Sequence, residues 1–336
     1  MLTTLQPGIL PVRLRRPHTS RLQVSSRPYP RCNTPRNTAA ETIVNAAKQV
    51  ETTVSSALIQ LWDDLEPWRR DNAYILSGYR ATSNSYWWSF KSLSYLHNES
   101  VNIWTHLLGA LGFTVTGWFL YSVVAPRYET ASEADLLVWS CFFAGAFLCL
   151  GMSATYHAIS NHSPAVAKFG NKLDYSGIVF LIVGSYVPAI YYGFSCQERL
   201  LAVYLSSICL LGVGCMTVSW FDHFRTPEWR PYRALMFVGL GLSGVVPILH
   251  GLSMHGFHAL NERMGLVWVM LEGAMYIFGA FLYAARFPER VSPGTFDIWG
   301  SSHQIFHVFV VLAAVSHLYG MTKAFDFHHS VLGAKC

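Results

Sequence analysis

Charged residues divide this chain into long apolar blocks. Runs free of Lys, Arg, Asp and Glu cover 100–126, 136–167, 175–197, 200–221, 234–261 and 298–322, and a seventh run, 264–285, is broken only by Glu272. Each is long enough for a helix of roughly 20 residues to cross the hydrocarbon core of a bilayer. The pattern therefore predicts an all-α membrane protein, a bundle of seven transmembrane helices whose short hydrophilic connections leave no room for a second folded domain. Four segments are expected: a basic tail over 1–40, a cytosolic amphipathic and pre-membrane region over 41–98, the seven-helix domain over 99–322, and a short C-terminal tail over 323–336. Within the second, Ile43, Ala46, Ala47, Val50, Val54, Leu58, Leu61 and Leu65 recur near helical spacing. They predict an amphipathic helix over 41–66 that lies on the membrane surface or caps the bundle.

Composition agrees with the pattern. Of 336 residues, 52% are hydrophobic and only 13% charged, with mean hydropathy +0.28, which is too apolar for a soluble protein of this size. The expected location is a plasma membrane or an endomembrane. An odd number of spans places the termini on opposite sides. The loops 160–172, 222–233 and 286–297 carry Lys168, Lys172, Arg225, Arg230, Arg233, Arg286 and Arg290, whereas the opposite loops carry Arg127, Arg199 and Arg263. With Arg69, Arg70, Arg80 and Lys91 ahead of the first span, the positive-inside rule puts the N-terminus in the cytosol and the C-terminus in the extracellular or lumenal space. The net charge of +5 comes largely from the tail and these loops, and gives no support to nucleic-acid binding.

Residues 1–40 lack Asp and Glu and carry Arg13, Arg15, Arg16, Arg21, Arg27, Arg31 and Arg36 among Pro, Ser and Thr. This resembles an organelle transit peptide, but the prolines argue against a continuous amphipathic helix. A disordered tail attracted to anionic lipid fits better. The 7 cysteines form no Cys-x-x-Cys pair and sit mostly within spans, so packed thiols are expected and no disulfide framework.

Counting along the spans brings four polar residues to one depth. His157 lies twenty-two residues after Asp135, about 33 Å along a helix rising about 1.5 Å per residue, at the far end of the second span. Asp174 opens the returning third span on that same face, and His303 and His307 open the seventh, which enters from the same side. His303 and His307 are four apart, so both rings project from one helix face. Ionisable and metal-binding groups inside lipid are costly and mark functional sites. Three histidines from two helices form a His₃ set that leaves the fourth position of a tetrahedral Zn2+ open for water.

The spacing His-x-x-x-His is weak alone in a chain with 14 histidines; convergence in depth with His157 and Asp174 strengthens it. His106, within the first span, reads as a packed, hydrogen-bonded histidine, and His317 lies too deep to join the set. His250, His255 and His258 fall at the opposite face, as loop chemistry or a separate weak metal contact. Glu272 must pair with a polar neighbour or stay protonated. Two other seven-helix classes are excluded. A retinal protein needs a Schiff-base lysine in its last span, where 298–322 has none, and a G-protein-coupled receptor would place its N-terminus outside and carry Asp-Arg-Tyr or Asn-Pro-x-x-Tyr signatures.

Several blocks resemble the progestin and adipoQ receptor family, also called haemolysin-III-related. They are Asp71-Asn72 to Gly78-Tyr79-Arg80; His97-Asn98-Glu99-Ser100-Val101-Asn102-Ile103-Trp104-Thr105-His106; Ser153-Ala154-Thr155-Tyr156-His157; and Lys172-Leu173-Asp174-Tyr175-Ser176-Gly177. Tyr283-Ala284-Ala285-Arg286, Pro288-Glu289-Arg290, and Phe296-Asp297-Ile298-Trp299 running into Ser302-His303-Gln304-Ile305-Phe306-His307 continue the likeness, which spans 60 to 322. It is nearest the adiponectin-receptor branch and its fungal members. The resemblance implies that His157, His303 and His307 bind zinc, that Asp174 holds a zinc-bound water, and that Ser153 belongs to the same constellation. Glu272 and the chain before residue 60 have no counterpart in that pattern.

Three neutral histidines on zinc lower the pKa of a fourth-position water towards about 7 and make it a nucleophile for a carbonyl. Asp174 is expected to orient or deprotonate that water, and Ser153 to donate a hydrogen bond to a developing oxyanion. Apolar walls suit a lipid amide or ester, and the resemblance narrows this to ceramide-like amides, with a free fatty acid as product. Two alternatives stay open: a ligand-responsive receptor, with an extracellular protein ligand, in which zinc is purely structural, and a role in zinc or sterol-lipid homeostasis without direct catalysis. A homo-oligomer is open as well.

Overall fold

The computed structural model of the chain describes residues 41, 43–46, 58–124, 126 and 128–333. The chain divides into two units, Met1–Val50 and Glu51–Cys336. Of the first, the described residues 41 and 43–46 are helical and exposed; the tail expected over 1–40 lies outside the described residues. Among its described residues the second unit carries seven helices long and apolar enough to cross a membrane: Ser100–Ser122, Glu133–Ile159, Pro164–Gly193, Glu198–Trp220, Arg230–Met264, Leu266–Ala285 and Ser302–Val331. These are the first to seventh spans, and the chain is an integral multi-pass membrane protein.

Local sequence sets the boundaries. Ser132 caps the second span in a capping box with Asp135, whose carboxylate accepts from the Ser132 amide at 2.9 Å and from its hydroxyl at 2.7 Å. Pro164 opens the third span, where its missing N–H costs nothing. The seventh span is capped from outside its own helix, because buried Glu289 accepts from the Ser302 amide at 2.8 Å and from the Ser302 hydroxyl.

Spans two and three approach closely. A Cβ at Gly145 would stand 2.5 Å from the Phe180 carbonyl oxygen, and one at Gly184 would stand 2.6 Å from that of Cys141. Small residues are what let two backbones meet this way inside a membrane. The approach brings the His157 end of span two against the Asp174 end of span three.

Three expectations need correction. The helix over 41–66 does not reach its proposed end: Ile59–Gln60 forms a short strand, β1, paired antiparallel with Tyr79–Arg80, β2, and Trp62–Asp64 is a single 3-10 turn. Residues beyond that turn are tied to the membrane domain through Arg80, as shown below, and β pairing with a strand that is itself anchored outcompetes helical propensity. The described part of the segment 323–336 is not a separate tail, since helix continues through Lys323 to Asp326 and then as a π turn to Val331. Finally, Arg230 and Arg233 are not loop cations. Both are buried in the first turn of the fifth span, where Arg230 pairs with Asp71 and lies 4.5 Å from the Tyr283 ring centre, and Arg233 donates to the Phe224 and Thr226 carbonyls at 2.7 Å each. That fifth span is broken at Ser243–Gly244, and Tyr186 of span three fills the break, its hydroxyl donating to the Gly241 carbonyl at 2.6 Å.

Candidate metal centre

His157, His303 and His307 come together as the depth count predicts. One nitrogen from each lies within 4.8 Å of the others, and the three ring centres are 4.8 to 5.0 Å apart with the rings steeply inclined. His157 and His307 are buried and His303 is half-buried. Among the described residues this is the one group of three such side chains that could hold a metal ion.

Their tautomers follow from their partners. Nδ1 of His157 lies 2.7 Å from Glu99 Oε2, and a carboxylate only accepts, so Nδ1 carries a proton and, in the neutral ring, Nε2 presents a lone pair. Nδ1 of His307 likewise donates to the Asn102 carbonyl at 3.1 Å. His157 Nε2 is buried without a hydrogen-bond partner, which is costly unless something else takes the lone pair. An orphaned imidazole nitrogen, two neighbouring imidazoles and a carboxylate behind the first one fit a borderline-soft divalent ion such as Zn2+.

The supporting residues come from the start of the first span and from the segment before it. Glu99 Oε2 also accepts from Asn102 Nδ2 at 2.6 Å. Burial works against the Glu99 charge, but the adjacent His157 and the two hydrogen bonds hold its carboxyl well below the usual range. The Glu99 amide donates to His97 Nδ1 at 3.1 Å. Burial and the nearby Arg80 charge push the His97 pKa down to about 3, so its ring is a neutral acceptor. Arg80, fully buried, donates to the carbonyls of His157 at 2.6 Å and Ala158 at 2.8 Å and to the hydroxyl of Ser92 at 2.8 Å. Its guanidinium thus ends span two by satisfying the last carbonyls of the helix that bears His157. Burial lowers its pKa to about 10, which leaves it charged at neutral pH.

Asp174 and Ser153 stand beside the triad on spans three and two. Both line the same cavity as His303 and His307. That cavity has a volume of about 970 Å³ and a mostly apolar lining, and it extends from the triad to Glu272 and His317. Its size is that of a lipid-sized ligand site.

The other singled-out residues fall elsewhere. His106 is packed, stacked on His307 at 3.7 Å between ring centres, but neither of its nitrogens finds the expected hydrogen bond. His317 stays outside the triad and solves the question of Glu272, since its Nδ1 lies 2.8 Å from Glu272 Oε2. His250 pairs with the Tyr204 hydroxyl at 2.6 Å, and His255 and His258 join it in no metal-capable group among the described residues. Among the described residues Cys141, Cys149, Cys209 and Cys215 are free thiols. Sequence reasoning gave Glu99 and Asn102 no part in the site and counted Arg80 only as a cation ahead of the first span. The signal for Glu99 was available, as a carboxylate one residue ahead of the first apolar run, on the face where a metal-bound histidine needs a second partner.

The haemolysin-III-related family profile matches residues 94–318. The chain is 43% identical over 291 residues to the ADIPOR-like receptor IZH2 of Saccharomyces cerevisiae, a match covering 87% of this chain and 92% of the yeast protein. It is 43% identical over 284 residues to the adiponectin receptor protein of Drosophila melanogaster, covering 83% of this chain and 63% of the fly protein. Heptahelical transmembrane protein 1 of Arabidopsis thaliana is 36% identical over 263 residues, covering 76% of this chain and 77% of the plant protein.

Proposed function

Because the chain belongs to the haemolysin-III-related family, as an adiponectin-receptor-like seven-helix membrane protein, we propose that it is a zinc-binding membrane receptor whose site hydrolyses a ceramide-like lipid amide, in lipid and metal homeostasis signalling. The observation that carries this reading is the histidine triad, with the orphaned His157 Nε2, beside a lipid-sized cavity lined by His303, His307, Asp174 and Ser153. Zinc held by His157, His303 and His307 supplies Lewis acidity, polarising a carbonyl and acidifying water.

The remaining work belongs to the side chains. Asp174 accepts the proton of the attacking water as the new C–O bond forms, and returns it to the amide nitrogen as the C–N bond breaks, so that a fatty acid and an amine leave. Ser153, which lines the same cavity, donates a hydrogen bond to the oxyanion that develops on the carbonyl. Glu99 holds the His157 ring so that Nε2, not Nδ1, faces the site. Apolar walls exclude bulk water and accept the acyl chain. On the positive-inside rule the site sits in the cytosolic half, with the C-terminus outside; Lys168, Lys172, Arg286 and Arg290 support that orientation, and protease protection of tagged termini tests it.

A second reading has its own support. Three imidazoles from spans two and seven would tie those helices together whether or not water reacts, and the relatives named as receptors suit a protein that signals an extracellular ligand through helix packing. Fatty-acid release from ceramide by purified, zinc-loaded protein separates the two. The hydrolase reading expects release that Asp174→Ala abolishes with folding and zinc content intact; no release from fully loaded wild type transfers the zinc to the structural role.

A further inference from the structure

The cavity has a second polar station far from the triad. Ser185 lies eleven residues beyond Asp174 on span three, His317 ten beyond His307 on span seven, and Glu272 eleven before Tyr283 on span six. Each offset is about 15 Å of helix, so the three residues return to a common depth in the middle of the membrane. All three line the cavity, together with Tyr276, one turn nearer the triad. Between the two stations the lining is hydrocarbon, from Leu181, Ile182, Phe306 and Val310 among others.

Three polar atoms at this station have no partner within the protein: the Ser185 hydroxyl, the Tyr276 hydroxyl and His317 Nε2. Ser185 is 5% exposed and His317 1%. Hydroxyls and ring nitrogens left unpaired at bilayer depth are expensive, and here they share a cavity wall. Glu272 and His317 engage each other at 2.8 Å, so what the station leaves unpaired is two hydroxyls and one ring nitrogen. It suits a neutral group that both donates and accepts.

We propose that this deep station is a subsite for a hydroxyl group carried partway along a lipid acyl chain, held by Ser185, Tyr276 and the Glu272–His317 pair while the chain's carbonyl end lies at the triad. An extended chain advances about 1.2 Å per bond, so a separation of about 15 Å places the hydroxyl about a dozen bonds from the carbonyl. In a bilayer or micelle such a mid-chain hydroxyl is itself unpaired, so transfer to the subsite satisfies ligand and protein together. The subsite rests on the reading of the cavity as a lipid site and specifies which lipid chains it prefers.

The test is equilibrium binding to the full-length protein in lipid nanodiscs, by displacement of a fluorescent fatty acid. The probes are stearate, stearate with a hydroxyl on its twelfth carbon, and stearate with a hydroxyl on its second carbon. Wild type is expected to bind the mid-chain hydroxylated probe about tenfold more tightly than stearate, with no such gain for the second-carbon isomer. Ser185→Ala and Tyr276→Phe together should abolish the preference while leaving stearate affinity and the melting temperature in place, since they delete hydroxyls that have no protein partner. Equal affinity of wild type for stearate and its mid-chain hydroxylated form overturns the subsite alone. Failure of all three probes to bind overturns the lipid-cavity reading and the subsite with it.

Discussion

Spans two and seven meet at both membrane faces, and histidines mark both meetings. At one end His157 meets His303 and His307. At the other, His329 meets Asp135, with Nε2 3.2 Å from the carboxylate and Nδ1 2.8 Å from the Thr130 hydroxyl. Asp135 is itself engaged by Ser132 and by the Tyr192 hydroxyl, which donates to it at 2.9 Å. His328 packs against Tyr192 at 5.6 Å and Tyr191 at 6.3 Å between ring centres. The two clusters use similar residues on the same helices and differ in what their nitrogens face. At the His329 end a carboxylate and hydroxyls sit among the rings, and the result is a knot that closes the bundle. At the His157 end the carboxylate stands behind the ring, and one nitrogen from each of three imidazoles lies within 4.8 Å of the others. A histidine cluster becomes a candidate metal centre through the placement of its acceptors, not through the number of its histidines.

The sharpest way to break this contrast is to exchange losses between the two ends. Asp174→Ala is expected to lower amide hydrolysis by on the order of 10² to 10⁴-fold with zinc content unchanged, read as fatty-acid release against metal analysis. Glu99→Gln should weaken zinc binding by about 10 to 100-fold, because it removes the charge that orients His157 and raises its basicity; competition with a chelator measures it. The corresponding change at the other end, Asp135→Asn, should leave zinc affinity untouched and cost about 1 to 3 kcal/mol of stability, seen as a lower melting temperature. A metal effect from Asp135→Asn would erase the distinction.

A smaller effect is carried by pH. His97 is neutral when folded, with its pKa held near about 3, whereas an unfolded histidine titrates near 6.5. The unfolded chain binds the extra proton first, so stability falls as pH drops below about 6.5 and continues to fall towards about 3, by at most about 1.4 kcal/mol per pH unit. Metal-free protein should therefore melt at lower temperature at pH 5 than at pH 7, and His97→Gln should flatten that difference. An unchanged slope in the variant would remove His97 from the account.

Much of this was legible in the sequence because lipid imposes a simple rule. Charges are excluded from spans, so gaps in the charge pattern gave seven spans, and counting residues from their ends brought His157, Asp174, His303 and His307 to one face. What was not legible depends on rotation about helix axes and on contacts from outside the spans. Glu272 and His317 pair across two helices whose azimuths no charge count reveals. Arg80 reaches the end of span two from a strand seventy-seven residues earlier, and its partners are backbone carbonyls, which carry no sequence signal. The break in the fifth span at Ser243–Gly244 is stabilised by Tyr186 of another helix. The helix expected over 41–66 does not reach its proposed end because periodicity competes with pairing, and β2 supplied the pair for Ile59–Gln60.

The most direct test of the central claim is metal analysis of purified protein beside its variants. The account predicts about one zinc per wild-type chain, loss of that zinc in His307→Ala, and its retention in Asp174→Ala and in His329→Gln. Zinc that survives His307→Ala, or a wild type that takes up none from a zinc buffer, would contradict it.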